Sequence, residues 1–221
     1  MIWRGLLLLW IAAWLVAAFL WAPLVPDLGA TTRVLYFHIP SAWVTALALA
    51  WSMVHSVLYL VRRRLEHDDH AAGAAELGLV FCIGATVSGS LWAHARWGSY
   101  WNWDPRETSI FVLLLIYGAY FSLRSAVETE EKRATLSSAY SIIAAVTVPF
   151  FIFIMPRIMT GLHPGAKGDP EGAGPVVEFK MSPNMRIIFF SSLIAFTLLF
   201  YWMFTLKVRT AQIEAHNHQR G

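Results

Sequence analysis

Between positions 92 and 103 the chain carries four of its eleven tryptophans, and on either side of that run, far apart in sequence, stand His38 and His163. Neutral imidazole is a preferred ligand of transition metals, heme iron among them, and two imidazoles on opposite sides of a porphyrin complete a six-coordinate site. Within Trp97-Gly98-Ser99-Tyr100-Trp101-Asn102-Trp103-Asp104-Pro105-Arg106-Glu107-Thr108, the residues Trp97, Tyr100, Trp101 and Asp104 follow i, i+3, i+4, i+7 spacing. That spacing predicts a short interfacial helix whose aromatic face suits a flat, conjugated, mostly apolar ligand. Trp and Tyr also collect at membrane interfaces, ring among headgroups and N–H or O–H toward water. This accounts for Trp3, Trp21, Trp43 and Trp202 singly, and less well for the cluster.

The remaining chemistry-bearing residues divide by position. Asp104 suits a helix N-cap, with Pro105 at N1 and Glu107 at N3 completing a capping box, so its first role is to start a helix. Ser182-Pro183 repeats the device further on. Arg106, in the first turn after Asp104, is either a partner for lipid phosphate or a clamp for a ligand carboxylate. His55 follows His38 by 17 residues, about 260° around and about 25 Å along a helix, so the two cannot share a ligand. His67, His70, His216 and His218 fall in polar stretches and read as solvated, while His94, three residues before Trp97, is a lesser candidate. The lone cysteine, Cys82, lies in an apolar run, which excludes a disulfide framework, a CxxC pair and a thiolate metal cluster.

These residues need a scaffold, and the composition says which kind. Of 221 residues 57% are hydrophobic and 14% charged, which describes a membrane protein rather than a water-soluble core. Crossing about 30 Å of hydrocarbon takes about 20 mostly apolar helical residues, and six segments qualify: 3–22, 41–61, 74–94, 108–123, 136–155 and 186–206. The expected fold is all-α, a single six-span membrane domain over residues 1–221 with a short amphipathic aromatic segment, 95–107, on one face. Lys and Arg are denser on one set of flanks, where Arg62-Arg63-Arg64 abuts a helix end. Both termini are therefore expected in the cytoplasm, and the loops 23–40, 95–107 and 156–185 outside, which in a bacterium is the periplasm. The last of these loops is too rich in Gly and Pro to be helical, and Pro149 should kink the fifth span. The net charge of +3 is small and its basic runs border apolar segments, so the positive balance sets orientation in the lipid bilayer and gives no sign of nucleic-acid binding. No GxxxxGK[ST] phosphate loop is present.

Trp97-Gly98, Trp101, Trp103-Asp104, Arg106 and Thr108 resemble the tryptophan-rich WWD signature of the heme-handling proteins of cytochrome c maturation. With its length, six spans and an outer histidine on each side of the signature, the whole chain is similar to the heme exporter protein C (CcmC type) family. Pro105 and Glu107 depart from the small or apolar residues usual in the pattern, and both suit capping. The resemblance implies a protein of the bacterial inner membrane that binds heme b and delivers it to a periplasmic heme chaperone, handling its cargo rather than catalysing a reaction. It further implies His38 and His163 as iron ligands, with Trp97, Tyr100, Trp101, Trp103 and Asp104 as the platform and Arg96 and Arg106 at the propionates. The implied partners are the ATPase and membrane subunits of an ABC transporter and a small single-span membrane subunit. A b-type heme anchor for electron transfer is the alternative, although such anchors place paired histidines within their spans and here only His55 is mid-span. A permease would show internal repeats or charges near the midplane, and a structural subunit would bind no cofactor.

Overall fold

The structure, a computed structural model, describes residues 2–25, 28–163, 166–167 and 181–218, with side chains to position 213 in the last helix. Six helices are long and apolar enough to cross a membrane: α1 Ile2–Trp21, α2 Ala30–Arg62, α3 Leu65–Trp97, α4 Pro105–Ala126, α5 Glu130–Ile158 and α6 Pro183–Ile213. Among the described residues the only extended pairings are two isolated bridges, Val25 with Gly29 and Thr160 with Lys167.

Most helices run beyond the expected spans, because local capping signals set their ends and hydropathy does not. α2 stops where Arg63 turns left-handed at φ 56° and its N–H bonds Tyr59 O, and α3 begins two residues later. α3 ends at Gly98, φ 76°, whose N–H bonds His94 O, the αL ending glycine favours. α4 starts on the expected capping box: Asp104 accepts from Arg106 N at 2.9 Å and Glu107 Oε2 accepts from Asp104 N at 3.3 Å. Ser182 accepts from Met185 N at the start of α6. Pro40, expected ahead of the second span, lies inside α2, where it removes the backbone donor that would bond the carbonyl of Tyr36. Pro149 is followed by a π turn, Phe150–Ile154, so the fifth span widens where the proline removes a donor. The Gly/Pro loop expectation falls on 164–165 and 168–180, outside the described residues.

Lipid offers no hydrophobic gain for helix association, so packing rests on small residues and a few polar bonds. α2 and α3 form the closest pair, with Ala48 and Leu49 against Ala74, Ala75 and Gly78. A Cβ on Gly78 would lie 2.7 Å from Leu49 Cδ2. Ser52 and Ser141 join α2 to α5 at 3.2 Å in a buried setting. At the end away from the tryptophan segment, the Arg124 guanidinium grips the buried Asp68 carboxylate through bonds of 2.7 and 2.9 Å, tying α4 to α3. α1 lies on α6 through Trp10 Nε1–H to Ser191 Oγ and the Trp14 ring between Phe37 and Phe196. Large exposed apolar side chains such as Leu9, Ile143, Val146 and Ile187 complete a surface suited to acyl chains.

Candidate functional site

The α2–α3 hairpin brings the first turns of α2 against the last turns of α3. There His38 Nδ1 lies 2.9 Å from Ala85 O and 3.2 Å from Ser88 Oγ. A carbonyl oxygen only accepts, so Nδ1 carries the proton and the neutral ring keeps its lone pair on Nε2. The ring rests on Gly89, where a Cβ would come within 2.9 Å of His38 Cε1.

His163 arrives from the segment after α5. Its Nδ1 donates to Asp104 Oδ1 at 2.7 Å, while Asp104 Oδ2 accepts from Leu162 N at 2.6 Å. Asp104 is 5% exposed. Burial opposes its charge, but the His163 imidazole and the backbone N–H groups of Arg106 and Leu162 outweigh it and hold the carboxyl down at about 2. An ionised carboxylate also only accepts, so His163 Nδ1 carries the proton and Nε2 is the nitrogen left for a metal. Trp97 meets the His163 ring edge-on at 4.9 Å and Trp92 stacks on it at 6.0 Å.

His38 and His163 line one cavity of about 120 Å³ together with Trp101, Arg106 and Glu107. Its deeper wall is apolar, formed by Ala42, Ala85, Leu113, Phe151 and Ile152 from four helices. Cavities that enclose a whole small ligand run to about 300–1,000 Å³, so this one has room for no more than the edge of a flat ring system, with both imidazoles in its lining. The donor set fits an iron porphyrin: two neutral nitrogens, apolar and indole surface, and a cation for a carboxylate.

The tryptophan segment is not the short helix expected from its spacing. Gly98 terminates α3, Trp103 adopts φ 54° and residues 98–104 are irregular. Ser99 Oγ bonds Trp101 O, and Glu107 Oε2 accepts from Asn102 N at 2.6 Å, so polar side chains fold the segment back on the start of α4. The aromatic residues consequently diverge. Trp101 lines the cavity; Trp103 is 68% exposed and packs on Trp101 and Phe111. Tyr100 stacks on His94 at 4.1 Å, and Arg96 is exposed near the end of α3; neither is part of the lining. Asp104 reaches the site through His163.

Two residues of the site escaped the sequence reading. Trp92 backs His163, a contact that becomes visible only when a segment 71 positions away folds over α3. Glu107, read as a cap, is buried and lines the cavity with Oε1 unpartnered. At the opposite end the solvated reading of His67 is overturned. His55 of α2 packs against both His67 and His70, and His67 is left 9% exposed. His216 and His218 lie beyond the described side chains.

The family model for heme exporter protein C matches residues 1–220. The chain is 29% identical over 213 residues to heme exporter protein C of Paracoccus denitrificans, covering 93% of this chain and 86% of that protein. To its Rhodobacter capsulatus counterpart it is 29% identical over 196 residues, covering 89% and 79%. A putative cytochrome c biosynthesis ccmC-like mitochondrial protein of Arabidopsis thaliana is 29% identical over 146 residues, covering 66% of this chain and 54% of that protein.

Proposed function

This chain belongs to the heme exporter protein C family, a membrane component of cytochrome c biogenesis, and we propose from that premise that it holds heme b edge-on between His38 and His163 and passes it to a periplasmic heme chaperone. One observation carries this reading: both imidazoles spend their Nδ1 proton on a fixed acceptor and line the same cavity. Each ring is thus locked in the tautomer whose Nε2 binds iron. Trp101 supplies a flat apolar face, and Arg106 a cation for a propionate. In this reading the cavity end faces the periplasm of a bacterial inner-membrane protein with both termini in the cytoplasm. ATP is handled by the partner ABC transporter subunits, with a small single-span membrane subunit alongside.

The protein's part is to position and release its cargo. The narrow cavity grips one edge of the porphyrin and leaves the rest above the indoles, open to an acceptor protein. An absorption spectrum of the detergent-purified protein loaded with heme tests the assignment. A low-spin spectrum is expected, giving way to a five-coordinate one in His38→Ala and in His163→Ala. A spectrum indifferent to both substitutions rejects it. A quinol titration addresses the electron-transfer alternative, which requires rapid reduction of the bound heme.

A further inference from the structure

We infer that the two imidazoles are unequal ligands: His163, backed by Asp104, is the one that retains the heme, and His38 is the one that yields its place when the cargo leaves. The inference rests on the bis-imidazole reading above and goes beyond it by assigning the order of release and making Asp104 a positioning residue.

The difference lies in what each Nδ1–H touches. His163 donates to a buried carboxylate at 2.7 Å. Hydrogen bonds to an ionised acceptor are roughly twice as strong as neutral ones, and they pull the ring toward imidazolate, making the opposite nitrogen a stronger donor to iron. His38 donates at 2.9 Å to the neutral Ala85 carbonyl, an oxygen that Ser88 Oγ also approaches at 3.1 Å. A shared, uncharged acceptor polarises the ring less, so the His38 bond to iron is the weaker one. The carboxylate behind His163 is itself fixed, because backbone N–H groups of Arg106 and Leu162 hold its two oxygens. Gly161 permits that approach: a Cβ there would fall 2.6 Å from Asp104 Oδ2. The cap of α4 and the support of a heme ligand are one carboxylate. A negatively charged support would also favour ferric over ferrous iron, so removing that charge would raise the potential of a bound heme.

The test uses the full-length protein in detergent, loaded with ferric heme, as wild type, His38→Ala, His163→Ala, Asp104→Asn and Gly161→Ala. Asn caps a helix as well as Asp does, so Asp104→Asn keeps the start of α4 while removing the charge and one of the two acceptor oxygens. His38→Ala is expected to keep heme in a five-coordinate form that added imidazole returns to low spin. His163→Ala should lose heme at least about tenfold faster than His38→Ala. Asp104→Asn should weaken retention by about tenfold and raise the midpoint potential of the heme that stays bound, and Gly161→Ala should shift both in the same direction. The potential is read on bound heme alone, so loss of fold does not imitate it. Equal retention in the two histidine variants, or a wild-type potential in both Asp104→Asn and Gly161→Ala, overturns the inference and leaves the bis-imidazole reading standing. A wild-type protein with no low-spin heme overturns both.

Discussion

The molecule carries a histidine group at each end, and the two differ in what holds the rings. At the cavity end His38 and His163 come from separate elements, each with Nδ1 bonded to a fixed acceptor. At the other end three rings gather around His55, which stacks on His70 at 4.7 Å and lies 5.6 Å from His67. Yet among the described residues both ring nitrogens of the buried His67, and Nδ1 of His55, have no partner. His70 Nδ1 bonds the Glu66 carbonyl one turn back. Among the described residues no three His, Cys, Asp or Glu side chains are arranged to hold a metal ion. Proximity of imidazoles is therefore a poor sign of ligation. Two rings that line one cavity, each with a bonded Nδ1 that fixes the tautomer and aims the other nitrogen, are the better sign.

The sharpest way to break this contrast is to empty each end in turn. Replacing His38 and His163 together by Ala should abolish the low-spin heme spectrum, whereas replacing His55, His67 and His70 together should leave it at wild-type strength. A triple variant without the spectrum would mean that the two ends serve one site. Next in size is the clamp that fixes the far end. Asp68→Asn leaves the Arg124 guanidinium buried against a neutral group, and removing one partner of a buried pair costs about 3 kcal/mol. The apparent Tm in detergent should fall, while heme affinity of the folded fraction stays unchanged.

A smaller effect isolates one imidazole at the cavity end. Gly89→Ala places a methyl 2.9 Å from His38 Cε1, so the ring must shift by a few tenths of an ångström. Overpacking of this kind costs about 1 kcal/mol, which corresponds to roughly a fivefold fall in the ratio of low-spin to high-spin heme. The same substitution at Gly118, where nothing lies within 4 Å, should leave the spectrum unchanged.

The contrast also marks what the sequence could convey. Six spans, the Asp104 and Ser182 caps and the gathering of His38 and His163 at one end were legible, because hydropathy, capping chemistry and loop parity are local or additive. The bond from His163 to Asp104 was not, since it joins a cap to a loop 59 positions away and capping alone already accounted for the aspartate. Periodicity misread the tryptophan run because one glycine at φ 76° and one tryptophan at φ 54° break a helix that the spacing permits. His67 looked solvated for a similar reason: its neighbours Glu66, Asp68 and Asp69 are polar, and only the packing of His55 from α2 against its ring shows that it is covered.

His67 then offers the finest discrimination. The residue is 9% exposed and neither nitrogen has a partner among the described residues, so folding takes two polar atoms away from water without a described replacement. A buried group in that state costs about 1–3 kcal/mol, and an apolar side chain of similar shape avoids the loss. His67→Leu should therefore stabilise the protein by about 1 kcal/mol, read as a rise in apparent Tm, with the heme spectrum unaltered. The corresponding substitution at His163, whose Nδ1 is satisfied by a carboxylate, should do the reverse, because it would leave the Asp104 charge buried beside a hydrocarbon. If His67→Leu instead destabilised the protein, its nitrogens would have a polar partner after all, and the two ends would be alike in how they hold their imidazoles.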